Sequence, residues 1–443
     1  MQRTKLAVIT ALLLTSGTGW AMDLLEAYAA AAQYDATFAA ARSSLEAARE
    51  RSLQADALTR PALSFGGGAS VGNSGSKVTG QPFISSTEGS ARVSLDGSLP
   101  LYRPANLVQQ SQAKLSEQIA QTQFIQGRQD LVLRVSQAYF DVLGAQDALT
   151  SIAAQKVAVT EQLAQAKREF EVGTKTIVDT TEAQARFDQI NALEAVAQAD
   201  LLVKRSALTV LTGKEIPPLG GLINKPSLRE PAPAILEQWT ARAEIENPAV
   251  ISSNLAAQIA KLEIDRNKAA NKPVVDLVSS LGVNYSTAGP IPNTNVTGRN
   301  ASVGVQFSVP LYTGGANDAR IREAIALEER SRSDLQAAQR GASQGARSAF
   351  LGVTYGLVQV KALEAAEISA NNQLSATRLG YQVGVRINLE VLNSQQLLAN
   401  TRKDLAKARY DTLLAGLKLK SATGQLTEED LKLVNAYLDR TVK

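Results

Sequence analysis

The sequence predicts a mainly α-helical protein with a minor β component, built from one structural unit used twice. Three observations carry that reading. The 443 residues include 69 Ala, the best helix former, and only 14 Pro. Four short segments alternate apolar and polar residues with period 2 instead of 3.6. The same landmarks recur in the same order at an offset near 211. Composition also removes whole classes of chemistry. With 0 His and 0 Cys there is no thiolate nucleophile, Ser-His-Asp triad, Cys/His zinc site or haem ligand. No motif points to chemistry on carboxylates or lysine, so no enzyme, cofactor or metal centre is expected. Lys and Arg number 46 against 42 Asp and Glu, which makes no electrostatic case for nucleic acid.

Residues 1–21 read as a secretory signal peptide. Arg3 and Lys5 precede an apolar run from Leu6 to Leu14, and Gly19, Trp20 and Ala21 offer a cleavage site with small residues at both ends. The run is too short for a spanning helix, which needs roughly 20 apolar residues. The mature chain is therefore expected to be exported, to carry a formal charge of +2 (44 Lys and Arg against 42 Asp and Glu), and to contain no transmembrane helix.

The first unit, 22–216, opens with a helix over Asp23 to Thr59. Strands at 62–73 and 90–101 follow, joined by a polar loop over Asn73 to Gly89. Between Pro104 and Gly173 lie 68 residues with no proline, a rod of about 100 Å at 1.5 Å per residue. A turn at Gly173 then starts a shorter return helix. A linker with five prolines, 217–235, leads to the second unit, 236–426. It repeats the plan with strands at 274–285 and 300–311, a second 68-residue proline-free stretch between Gly315 and Gly384, a turn at Gly384 and a return helix. Residues 427–443 form a C-terminal tail. The landmarks match pairwise: SLPLY at 98–102 with SVPLY at 308–312, Phe140 with Phe350, FEVG at 170–173 with YQVG at 381–384, and Pro61 with Pro273. Along the second rod Phe350, Val353, Leu357 and Val360 step by 3, 4 and 3 as in a coiled coil, while many contact positions are Ala, which lets helices approach closely.

The strands are each about 10 to 12 residues long, the length of a tilted strand crossing an outer membrane. Val303, Val305, Phe307 and Val309 alternate with Ser302, Gly304, Gln306 and Ser308, and the other three behave alike. Tyr102 and Tyr312 stand where strand gives way to helix, as an interfacial aromatic belt requires. Four strands cannot close a barrel, and lipid cannot satisfy an open edge. Strands that span a membrane must therefore share one barrel with copies of the chain. Two copies give eight strands around a filled interior; three give twelve and begin to leave a lumen, which suits the small polar set of Gly and Ser. A coiled-coil structural protein whose hairpins pack elsewhere is the alternative.

The two-unit chain, the SLPLY and SVPLY strand exits, and above all FEVGTKTIVDTTEAQA at 170–185 and YQVGVRINLEVLNSQQ at 381–396 resemble the TolC family of outer membrane efflux and type I secretion channels. The resemblance covers essentially the whole mature chain. It implies a homotrimer with a 12-stranded transmembrane β-barrel, four strands per protomer, continuous with a long α-helical tunnel through the periplasm. Implied partners are outer membrane lipid, a periplasmic adaptor protein and an inner membrane transporter. Phe170, Val172, Gly173, Val383 and Gly384 then map to the tip turns that meet the adaptor. Asp179, Tyr381 and Arg386 map to the links that hold the tunnel shut, and Glu390 and Asn393 to its acidic constriction. Two aspartates are usual there; one carboxylate and one amide imply a ring charge of about −3 per trimer instead of about −6.

Overall fold

The computed structural model describes residues 22–77, 79–80, 82–174, 176–223, 226–287 and 295–439, so the expected signal peptide lies outside the described residues. Through the first half of the chain the order is α1 (Leu24–Tyr34), α2 (Ala36–Ala57), β1 (Ala62–Ser76), β2 (Ile84–Tyr102), α3 (Pro104–Glu171) and α4 (Ile177–Thr212). The second half repeats it as α5 (Leu236–Glu246), α6 (Pro248–Ala269), β3 (Val274–Ser286), β4 (Val296–Ser308), α7 (Ala316–Gln382) and α8 (Asn388–Ala422), followed by α9 (Glu428–Asn435). No helix among the described residues is long and apolar enough to cross a membrane. The long helices α3 and α7, of 68 and 67 residues, run from a residue near the last proline or glycine before them almost to the next turn glycine.

The chain divides into two compact units, and α3 and α7 each contribute to both. One consists of Ala41–Gln126 and Pro248–Gly341 and holds the sheet. Its strands lie in the order β1-β2-β3-β4, every neighbour antiparallel. Ala62 pairs with Ser98, Ser90 with Ser286 and Val274 with Ser308. Apart from Tyr102 with Val275, past a register shift at the end of β2, every pairing joins residues of like parity, so odd-numbered side chains share one face and even-numbered ones the other. Phe65, Leu95, Leu281 and Ala301 form one row of the odd face, and Leu99, Leu277 and Val305 another. The even face carries Ser94, Asp96 and Ser280, where the Asp96 carboxylate accepts both serine hydroxyls at 2.8 and 2.7 Å. At the exit from β2, Arg103 grips Asp276 with two parallel hydrogen bonds of 2.7 and 2.6 Å. Pro104 follows at once, its missing N–H harmless in the first turn of a helix. Asn106 and Gln110 on α3 donate to Leu58 and Asp56 on the incoming chain, and Gln112 donates to Glu263 on α6.

Three boundaries differ from the sequence expectation. The loop expected over 73–89 is shorter, because β1 runs on to Ser76 and β2 starts at Ile84, and β4 starts at Val296, ahead of the expected 300. Polar and glycine residues extend the ladder there because backbone pairing needs no apolar side chain. The fourth strand ends at Ser308 instead of 311: its partner β3 begins at Val274, opposite Ser308, and Pro310 has no N–H to donate. Tyr312 accordingly lies four residues past the strand, whereas Tyr102 closes β2 as expected. The third difference is a break in the helix expected over 23–59. Asp35 stands extended between α1 and α2, accepting the Phe38 N–H at 2.7 Å and the guanidinium of Arg134 at 2.9 and 3.0 Å. A short carboxylate competes for backbone N–H groups and so favours caps over helix interiors. Asn247 makes the equivalent break between α5 and α6, donating to the Ala422 carbonyl at 2.8 Å.

The other unit consists of Met1–Ala40, Gly127–Asn247 and Ala342–Lys443. Phe350, Val353 and Leu357 are buried against Trp239 and Leu419, and Val360 against Leu405 and Ala408, so the 3-4-3 stripe is the buried face of α7. The indole of Trp239 donates to the Pro233 carbonyl at 2.7 Å, tying the proline-rich linker to this core. The C-terminal stretch is packed down as α9: Asn435 accepts the Leu24 N–H and donates to Asp23, and Leu222 bridges Leu438.

The Arg134 guanidinium holds the Asp35 carboxyl below its ordinary value. A depressed carboxyl contributes stability that is complete above the unfolded value of about 3.9 and is lost as pH falls through the folded value. Asp35→Asn keeps the cap and loses the ion pair. It should cost about 2 kcal/mol at pH 7, with the melting-temperature difference from the parent shrinking as the pH falls through the folded value.

Candidate functional site

The two turns between the long and return helices share one local construction, dictated by glycine. Gly173 has φ +77° and Gly384 φ +82°, a left-handed conformation that closes a helix without Cβ strain. At the first turn Gly173 N–H donates to the Phe170 carbonyl and Thr174 N–H to Glu169. At the second, Gly384 donates to Tyr381 and Val385 to Gly380. The same wrapped ending thus appears at equivalent places in both units. It leaves an apolar surface: Phe170, Val172, Ile177 and Val178 are exposed at the first turn, and Val383, Val385 and Ile387 at the second.

The returns differ. Helix α4 begins with a reciprocal capping box in which the Asp179 carboxylate accepts the Thr176 N–H at 3.0 Å and its hydroxyl at 2.7 Å. Helix α8 follows Ile387 at the N-cap position, which has no side-chain acceptor to cap it. In the first turn of α8, Glu390 is instead paired with Arg386 at 2.8 Å, and Arg386 lies over Gly380, where a Cβ would meet its side chain. A carboxylate in that position also complements the helix dipole. Asn393, one turn further on, is exposed.

Of the residues expected to act together, Arg386 and Glu390 are in direct contact, and the guanidinium compensates the carboxylate expected to define the constriction. Asp179 is engaged by its own helix terminus. The Tyr381 hydroxyl donates to Glu169 on α3 at 3.3 Å, while its ring packs on Ala370, Leu374, Val391 and Leu398. Burial, then the Glu169 and Asp179 charges, push the Tyr381 hydroxyl up, so it stays a donor through neutral pH. Glu169 is the residue that sequence reasoning missed, since nothing in FEVG marks a glutamate one position earlier. The cap was legible as a threonine three residues before an aspartate. Close by, Val159 on α3, Ile190 on α4 and Leu392 on α8 meet in one buried cluster, which joins the second return helix to the first hairpin.

The chain thus carries two long helices reversed at glycine turns and a four-stranded sheet that is apolar on one face and polar on the other. The chain belongs to the outer membrane efflux protein family, whose model matches residues 27–214 and again 239–425. The outer membrane protein TolC of Vibrio cholerae is 31% identical over 98% of this chain and 98% of its own length. The alkaline protease secretion protein AprF of Pseudomonas aeruginosa is 32% identical over 96% of this chain and 89% of its own. In fold, the crystal structure of the Campylobacter jejuni CmeC outer membrane channel matches with a TM-score of 0.78 over 94% of this chain and 90% of that one, at 15% identity. The protein is thus an efflux or secretion channel of the outer membrane.

The capping asymmetry has a measurable consequence. Thr176→Ala should loosen the start of α4 by about 1 kcal/mol, and Ile387→Ser, which supplies the missing cap, should tighten α8 by a similar amount. Amide exchange over 177–180 should speed up in the first variant, and exchange over 388–391 should slow in the second.

Proposed function

We propose that three copies of the chain close a single 12-stranded barrel in the outer membrane, continued into the periplasm by a tunnel of their long helices. The observation that carries this is the open sheet. Its outer strands β1 and β4 each have one unpaired edge within the chain, and the odd face offers hydrocarbon Leu, Val and Phe side chains along its length. Pairing β4 of one protomer with β1 of the next removes both edges. The even face, rich in Gly and Ser, then lines an open lumen. After signal removal and export, the tips meet a periplasmic adaptor through the exposed Phe170, Val172 and Val383 surface. An inner membrane transporter behind that adaptor supplies energy and selects cargo.

The gate belongs to the second tip. Its helix α8 lacks a side-chain cap, and it is held by the contacts of Tyr381 and Arg386, with Asp179 alongside and Glu390 and Asn393 lining the constriction. An exposed pair such as Arg386 with Glu390 is worth about 0–1 kcal/mol. Several weak contacts repeated by threefold symmetry keep the tunnel shut yet yield to a partner that binds the open form better. In planar bilayers the double variant Arg386→Ser, Tyr381→Phe should conduct more than the parent, and Glu390→Ala should chiefly change cation preference. Parent-like conductance from the double variant would mean that the closing contacts lie elsewhere.

The orientation of the sheet has its own test. An acidic residue at Val305 or Phe307 would face lipid and should deplete heat-modifiable trimer from outer membranes, whereas the same change at Gln306 would face water and be tolerated. Equal effects at all three positions would refute the register.

A further inference from the structure

The odd-numbered face of the sheet carries one charge. Among the odd positions of β1, β2, β3 and β4 every residue is apolar, small or neutral except Arg299; the charged residues Glu88, Arg92, Asp96 and Asp276 all fall on the even face. Arg299 stands directly opposite Val283 on β3, and the next row pairs Thr297 with Tyr285. That puts the Tyr285 ring on its diagonal, within reach of a long side chain. Arg299 is exposed, and no described residue forms an ion pair or side-chain hydrogen bond with it. β1, the strand a neighbouring protomer would bring alongside β4, contains no acidic residue.

Its height on the strand matters as much as its isolation. Arg299 lies eight residues from Phe307, toward the hairpin connections and away from the helices. On a strand tilted by about 40° this is a climb of about 20 Å within an apolar belt about 25 Å tall. From there the arginine stem stays in hydrocarbon while the guanidinium rises to the headgroup level. A tyrosine with a partly exposed ring beside it belongs to the same interfacial layer.

We propose that Arg299, assisted by the Tyr285 hydroxyl, is an outward-facing site for the phosphate of an outer-leaflet lipid, repeated three times around the barrel. The chemistry is specific: an unpaired guanidinium presents a planar fork to two phosphate oxygens, with no protein carboxylate to compete. The lipid's acyl chains then lie along the apolar rows below, Leu281 and Val303 among them. Such a lipid anchor would fix the depth and rotation of the barrel in the membrane. The inference rests on the barrel reading above, because it requires the odd face to meet lipid.

The test uses full-length trimer reconstituted into phosphatidylethanolamine vesicles containing either lipid A with both phosphates or lipid A stripped of them. Native mass spectrometry after detergent extraction counts lipid A retained per trimer, and flotation with the vesicles scores insertion separately. The parent should retain the phosphorylated lipid, and Arg299→Gln should cut retention by about fivefold while floating normally, since it only removes a charge from a lipid face. Arg299→Lys should fall between, a point charge without the fork, and Tyr285→Phe should lose about half as one hydrogen bond goes. Excess inorganic phosphate should leave the lipid in place. Equal retention by parent and Arg299→Gln, equal retention of the two lipids, or displacement by inorganic phosphate would overturn the lipid site alone. A parent that fails to float would overturn the barrel and the lipid site together.

Discussion

The bare edges of a four-stranded sheet constrain everything else in this protein. In hydrocarbon each unsatisfied N–H or C=O costs several kcal/mol, and β1 and β4 each expose a row of them on one side. No rearrangement within the chain removes that cost, because β2 and β3 already use both of their edges. In the proposed barrel those missing partners come from copies of the chain. The long helices follow from the same geometry, since β2 passes into α3 across a single residue, Arg103. Its fork on Asp276 couples that junction to the neighbouring strand, which belongs to the other repeat.

Repetition supplies the symmetry of the architecture, and small departures from it set the two halves apart. Both long helices end in the same glycine-terminated wrap, and both short helix pairs break at a side chain that can cap, Asp35 in one and Asn247 in the other. The returns are where the repeats part. Thr176 and Asp179 cap α4 reciprocally, while Ile387 leaves α8 uncapped and a single exposed ion pair, Arg386 with Glu390, takes the place of the box. An N-cap is worth about 1 kcal/mol and an exposed pair less. The second tip is thus the softer of two otherwise equivalent turns, and it is also the one whose tyrosine reaches across to Glu169 of the first.

Charge is distributed over the sheet with the same economy. The even face holds carboxylates that are each engaged, Asp96 by two serine hydroxyls and Asp276 by Arg103. The odd face is left to apolar and small neutral side chains, with Arg299 as its one charged departure, near the hairpin end of its strand. A charge is tolerated on such a surface only where its side chain can escape to water or find a counter-ion.

Much of this was legible in the linear chain. The repeat, the helix lengths bounded by Pro104, Gly173, Gly315 and Gly384, the strand parity and the turn glycines are local or periodic properties, and local sterics and period 2 or 3.6 impose them whatever the rest of the chain does. The family resemblance rested on the same tip motifs. Partnerships between distant segments were not legible. The pairing of Tyr381 with Glu169, of Arg134 with Asp35 and of Arg103 with Asp276 spans 212, 99 and 173 residues, and no periodicity encodes which remote side chain will answer a given donor. The break at Asp35 and the end of β4 at Ser308 were hidden for the same reason. Each is decided by what lies opposite, a guanidinium on α3 in one case and the first residue of β3 in the other, and only the folded chain brings those opposites together.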